Sequence, residues 1–266
     1  VFLIPSCLTS ATFISLEKRR KGMFGSYHFG KPINLGSITL ETYQEAGLYV
    51  YHRRSDSELK KVMSSPSNLL VSPVEPVTQP KKITHYLLVR MVHPVLVPPG
   101  SQLTLFLTFP IEIGVFPEVE ESVDLGFFTS TRKEEEPMDL FTLTNPKYTL
   151  YGNLENGIIC KMWESEIHTQ IPEVSPLSEG VMKVEIQNNA PQQKEITKMV
   201  FDAFYMKIFY EEFALMNAVV KLNSNTAETS CLEEPPLEGM RRAARVFSPS
   251  KVPVIEKESF LMEWGL

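Results

Sequence analysis

The chain has 266 residues, 43% of them hydrophobic and 22% charged, with a formal net charge of -6. That apolar share supports a large folded core and excludes a disordered chain, while the acidic balance argues against nucleic acid as a partner. The cysteines Cys7, Cys160 and Cys231 stand far apart with no C-x-x-C, which excludes a disulfide framework and a zinc-ribbon spacing and favours a reducing, cytoplasmic setting.

The opening stretch Val1 to Leu16 is apolar but broken by Pro5 and by five Ser and Thr residues. A spanning helix needs roughly 20 predominantly apolar residues. Its basic cluster, Lys18 to Lys21, follows the apolar run, whereas an export signal places positive charge ahead of it. Met23 comes directly after that cluster, so residues 1–22 are expected to be an upstream extension, with a membrane-surface anchor as the alternative.

From Met23 onward short strands are predicted. INLGSITLETY (33–43) and GLYVYHRR (47–54) alternate, with a glycine marking the turn between them. SDSELKKVMSS allows a turn or two of helix. The four prolines of the next stretch, Pro66, Pro73, Pro76 and Pro80, leave only an extended loop or edge strand. THYLLVRMVHPVLVPPGSQLTLFLTFPIEIGVF holds three or four strands, several with both faces buried. The charge run in STRKEEEPMDLFTLTNPK reads as a surface connection. Beyond it, KYTLYGNLENGIICKMW is a hairpin with Asn156-Gly157 at its tip. VMKVEIQNN, EITKMVF, FYMKIFYEE and LMNAVVKLN continue as strands, although Lys198 to Leu222, free of Gly and Pro, also permits a helix. PPLEGMRRAARVF is given a short helix. The fold class is therefore mostly β: two packed β-sandwich-like subdomains with few short helices, at 23–130 and 141–266, joined by a connector at 131–140.

The search for chemistry starts at Gly25-Ser26-Tyr27-His28-Phe29-Gly30-Lys31-Pro32, which fits G-x-x-x-x-G-K. A phosphate loop requires a Ser or Thr after the lysine and a following helix; Pro32 and a strand stand there instead, so the glycines form turns. Among the five histidines, His85 and His93 share strand parity but would stand roughly 26 Å apart on one straight strand. No metal site and no cofactor are expected. No G-x-S-x-G elbow is present. Cys160, in IICKM, is expected to be a buried, inert thiol. Glu112 is flanked by Ile111 and Ile113 with the period of a half-buried strand and should face solvent. Tyr49, Tyr51 and Arg53 share one parity, so a strand presents two rings and a guanidinium on one face, fit for a sugar, a peptide or a protein. Tyr148, Tyr151 and Trp163 offer a second platform, although sheet packing also explains both sets.

With MFGSYHFGKPINLGSITLE, GLYVYHRR, PVLVPPGSQLTLFLTFPIEIGVF, KYTLYGNLENGIICK and VEIQNN, the chain resembles an archaeal family catalogued only as a domain of unknown function, from Met23 to near the C-terminus. The resemblance implies no activity, cofactor or catalytic residue. It does imply a possible partner, since relatives accompany small mechanosensitive channels in genomes. The expected function is a non-catalytic cytosolic binding module using its exposed aromatic faces or sheet edges. The alternatives are a hydrolase or carbohydrate-active enzyme with carboxylates gathered across strands, and a cytosolic accessory of a membrane channel.

Overall fold

A computed structural model describes residues 23–118, 136–246 and 258–266. Residues 1–22 and the first half of the expected connector lie outside the described residues.

The first strand, β1 (Gly25–Tyr27), is followed by a meander of β2 (Ile33–Leu35), β3 (Ile38–Glu45), β4 (Leu48–Arg54) and β5 (Leu59–Met63). The meander is a four-stranded antiparallel sheet in chain order. Its central hairpin closes through Ala46 and Gly47, with φ of 49° and 82°. Two successive positive φ values form the type I′ turn whose twist matches two flanking strands. Alternation then places Ile33, Leu35, Ile38, Leu40, Thr42, Tyr51 and Arg53 on one face, and all are buried.

β6 (Asn68–Val74) lies between β1 and β9 (Glu112–Glu118), and β9 is flanked on its far side by β10 (Asp139–Phe141). Since β1 pairs only with Leu69 to Val71, the later part of β6 has no paired strand on that side among the described residues, and Pro73 falls there. β7 (Tyr86–Val97) and β8 (Gln102–Pro110) precede β9 in the chain but belong to two further sheets. In one, β11 (Lys147–Tyr151), β12 (Ile158–Ser165), β7 and β14 (Lys194–Asp202) lie side by side, and β12 runs parallel to β7. In the other, β13 (Glu179–Asn188) lies between β8 and β16 (Ala214–Leu222), paired parallel to β16. β15 (Phe209–Tyr210) and β17 (Ala227–Cys231) both pair with β16; β18 (Arg241–Arg242) adds to β15 and β19 (Ser259–Met262) to β17. Buried side chains from all four sheets, among them Leu35, Val71, Leu88 and Val184, join one continuous apolar core.

The mostly-β expectation stands as four sheets, but the few short helices do not: among the described residues the helical piece is a 3-10 turn at Ala203–Tyr205. SDSELKKVMSS forms β5, because β4 offers it a free edge and Leu59 and Met63 pack against the core from one face. The RRAAR stretch is too short and too near Pro235, Pro236 and Gly239 to wind; Arg241–Arg242 pair with β15 instead. Lys198 to Leu222 is β14, the 3-10 turn, β15 and β16, so the helical alternative is excluded.

Candidate functional site

The inward face of the meander carries Arg53, and a charge there needs a partner. Asp139, at the start of β10, supplies it: Arg53 Nε donates to Asp139 Oδ2 at 2.7 Å, and Tyr51 Oη donates to the same oxygen at 2.8 Å. Arg53 Nη1 donates to Ser55 Oγ at 2.9 Å and Ser57 Oγ at 3.0 Å, and its guanidinium carbon lies 5.2 Å from the centre of the Phe141 ring. Strand, loop and ring thus fix the guanidinium in one orientation. Burial, and then the carboxylate beside it, raise the Tyr51 phenol far above its ordinary range, which keeps it a neutral donor.

Above Arg53 opens a cleft of ≈ 420 Å³. Its walls come from the β2–β3 turn at Ser37, the β4–β5 loop (Ser55, Asp56, Ser57), Gln79 and Pro80 ahead of β7, and the segment Phe141 to Pro146 after β10. Hydroxyls and amides alternate there with Ile38, Pro80, Leu143 and Pro146. Thr142 and Thr144 share a hydroxyl–hydroxyl contact of 2.9 Å that stiffens one wall.

The opposite wall rests on a buried ion pair. Glu112 accepts from Lys161 Nζ at 2.9 Å, from the Gln79 amide at 3.0 Å, and from both the amide (3.0 Å) and the hydroxyl of Thr78. Lys161 also donates to the Gln79 carbonyl at 3.1 Å. One carboxylate therefore pins the backbone of a cleft-lining residue from below. The solvent-facing orientation expected for Glu112 is overturned: it is 1% exposed, because β9 is covered on both faces and the period of two no longer separates inside from outside. Nearby, Glu75 is also buried; its Oε1 lies 3.8 Å from Arg245 Nε, while its Oε2 has no hydrogen-bond partner among the described residues. Burial pushes the Glu75 carboxyl up to about 7, opposed by its own backbone amide and the Arg245 charge.

The residues singled out from sequence are distributed unevenly. Tyr51 and Arg53 are buried rather than displayed, and of the β4 set Tyr49 alone reaches partial exposure, its ring edge-on to Phe29 at 5.8 Å. The shared parity is real, but the face is the inward one. Pairing of Tyr148 with Lys161 puts Tyr148 and Trp163 on one face of the β11–β12 hairpin, whereas Tyr151, opposite Ile158, is on the other. Trp163 donates through Nε1 to Thr108 Oγ1 at 3.0 Å, and Tyr151 is buried against Trp264, so the two do not form one platform. Cys160 is buried, and burial pushes its thiol up to about 12, as expected for an inert thiol. Asp139, Ser55, Ser57, Gln79 and Asn145 were not singled out. The sequence signal for Ser55, Ser57 and Asn145 is the pair of Ser/Thr/Asn clusters, SDS and TLTNP, which mark turns without saying that the turns meet; Asp139 and Gln79 lie outside both.

Among the described residues no group of three or more His, Cys, Asp or Glu side chains is placed to hold a metal ion, and no helix is long and apolar enough to cross a membrane. Fold and cleft define an all-β protein with a small polar cleft at the junction of its meander and a neighbouring sheet. The chain belongs to the family described as protein of unknown function (DUF432), whose model matches residues 23–263. No curated protein and no solved structure matches it.

Proposed function

We propose that the protein is a non-catalytic, cytosolic binding module whose small polar ligand occupies the cleft above Arg53. One observation carries this reading. Arg53 is immobilised beneath the cleft by Asp139, Ser55 and Ser57, while the lining side chains of Ser37, Asp56, Gln79 and Asn145 make no hydrogen bond to another described residue. A rigid floor with unengaged polar groups around it is a preorganised site, in which ordering costs are met on folding rather than on binding. The volume lies at the small end of the roughly 300–1,000 Å³ typical of ligand sites. The test is a ligand-observed NMR screen of polar fragments against the wild type and Asn145→Trp, a substitution at an exposed cleft-lining position. Hits abolished by the tryptophan with an unchanged melting temperature support the reading; hits indifferent to it, or none, overturn it.

Glu75 favours a second reading, a hydrolase or carbohydrate-active enzyme. A carboxyl with a pKa of about 7, one of its oxygens without a hydrogen-bond partner among the described residues, has the protonation state that a general acid needs at neutral pH. It does not line the cleft, however. Turnover of a chromogenic glycoside that disappears in Glu75→Gln, with binding retained, would establish it.

A further inference from the structure

The charge balance and chemistry of the cleft narrow its ligand, on the footing that the cleft is the binding site. Arg53 is the one cation in the lining among the described residues, and its charge is balanced by Asp139, also buried, at 2.7 Å. What Arg53 offers a ligand is therefore directed N–H donors rather than net positive charge. Asp56 is the remaining charged group of the lining, exposed and without a cation bonded to it among the described residues. A phosphate or carboxylate brought here would meet a neutralised guanidinium and an aspartate, and would lose more hydration than it regains.

The rest of the lining is made of groups that both donate and accept. Ser37 and Ser57 carry hydroxyls, and the Ser57 oxygen already accepts from Arg53 Nη1, which leaves its proton free to donate. Gln79 and Asn145 each present an amide with a carbonyl and an NH₂ side by side, the spacing that matches two neighbouring hydroxyls. Asp56 accepts from a vicinal diol in the same manner. Pro80, Leu143 and Pro146 supply flat apolar surface between these groups. A ligand complementary to this set is uncharged, carries several hydroxyls and has C–H faces between them.

We infer that the cleft binds a neutral saccharide of one or two rings. The volume of ≈ 420 Å³ sets that upper size.

The experiment is saturation-transfer NMR with the full chain and five probes: D-glucose, D-mannose, maltose, L-glutamate and inorganic phosphate, the last followed by phosphorus linewidth. Each is repeated on Asp56→Ala and Asn145→Ala, two exposed side chains with no hydrogen bond to another described residue. Transfer to saccharide ring protons that falls at least tenfold in either variant, with unchanged melting temperatures, is the result expected. Binding of glutamate or phosphate in place of the sugars, with the same dependence on Asp56 and Asn145, overturns the saccharide class and leaves the cleft as a binding site. Saccharide transfer unaffected by either variant places the sugar elsewhere and overturns the inference. Silence from all five probes overturns it too, and the Asn145→Trp fragment screen then decides whether the cleft reading fails with it.

Discussion

Lys161 Nζ lies 2.9 Å from Glu112 Oε1 in a pair where both side chains are at most 6% exposed, linking β12 to β9 beneath the cleft. Such a pair is not a large net source of stability, since desolvating both charges offsets most of their attraction. Breaking it is another matter. Lys161→Met leaves Glu112 buried with two backbone amides and a hydroxyl but no countercharge, and is expected to destabilise the fold by about 3–5 kcal/mol in urea denaturation. Adding Glu112→Gln removes the orphaned charge, so the double variant should be more stable than Lys161→Met alone. Two equal losses that simply add would show the residues to be uncoupled.

Glu75 sets a pH dependence whose sign follows from its direction of shift. Its carboxyl is raised in the fold from 4.5 to about 7, so the native state holds a proton that the unfolded chain releases earlier. Stability from this group is complete below pH 4.5 and is lost as pH rises through 7. At one pH unit per roughly 1.4 kcal/mol, the loss approaches about 3 kcal/mol above pH 8. Glu75→Gln, which carries no charge at any pH, is expected to be nearly neutral at pH 5 and stabilising at pH 8. A variant whose stability tracks the wild type at a constant offset across that range would show that Glu75 does not titrate in it.

How far the sequence could be read depended on what pattern encodes. Alternation located the β3–β4 and β11–β12 hairpins, because period two is a local property; Asn156-Gly157, expected at the tip of the second, instead closes a longer connection, 152–157, with neither residue at positive φ. Parity correctly grouped Tyr49, Tyr51 and Arg53, but parity cannot say which face is inward. That choice is made by Leu35 and Leu40 on β2 and β3, which share the face and are fully buried, and by Asp139, 86 residues from Arg53, which makes an inward arginine tolerable. The same limit misled Glu112: two isoleucine neighbours imply an outward glutamate only if one side of the strand meets water. The cleft was illegible for a further reason. Its walls are loops from four places in the chain, and loop proximity follows from sheet order rather than from any local signal.

Asp139 serves two donors, one neutral and one charged, so removing the neutral phenol should cost less than removing the acceptor. Tyr51→Phe loses one hydrogen bond to a charged group, about 1.5–3 kcal/mol. Asp139→Ala leaves Arg53 buried and uncompensated and should cost about 3–5 kcal/mol. In the combined variant the two effects should fall short of their sum, because the phenol has no acceptor left to lose. Full additivity in a double-mutant cycle would contradict the shared geometry.

Gly180 on β13 shows packing that leaves no room for a methyl group. A Cβ built there would stand 2.6 Å from Phe109 Cζ and 3.1 Å from Ala214 Cβ, the side chains of its two paired neighbours on β8 and β16. Both flanks are occupied, so β13 cannot relieve the contact by shifting away from either one. Gly180→Ala is expected to destabilise by roughly 1–3 kcal/mol, the usual range for overpacking a filled core. Replacing the ring by a smaller side chain in Gly180→Ala/Phe109→Leu reopens the space, so part of the loss caused by alanine should vanish in the Phe109→Leu background. Thermal unfolding of the four proteins measures that coupling, and an alanine penalty identical with and without the ring would show that Phe109 is not what glycine accommodates.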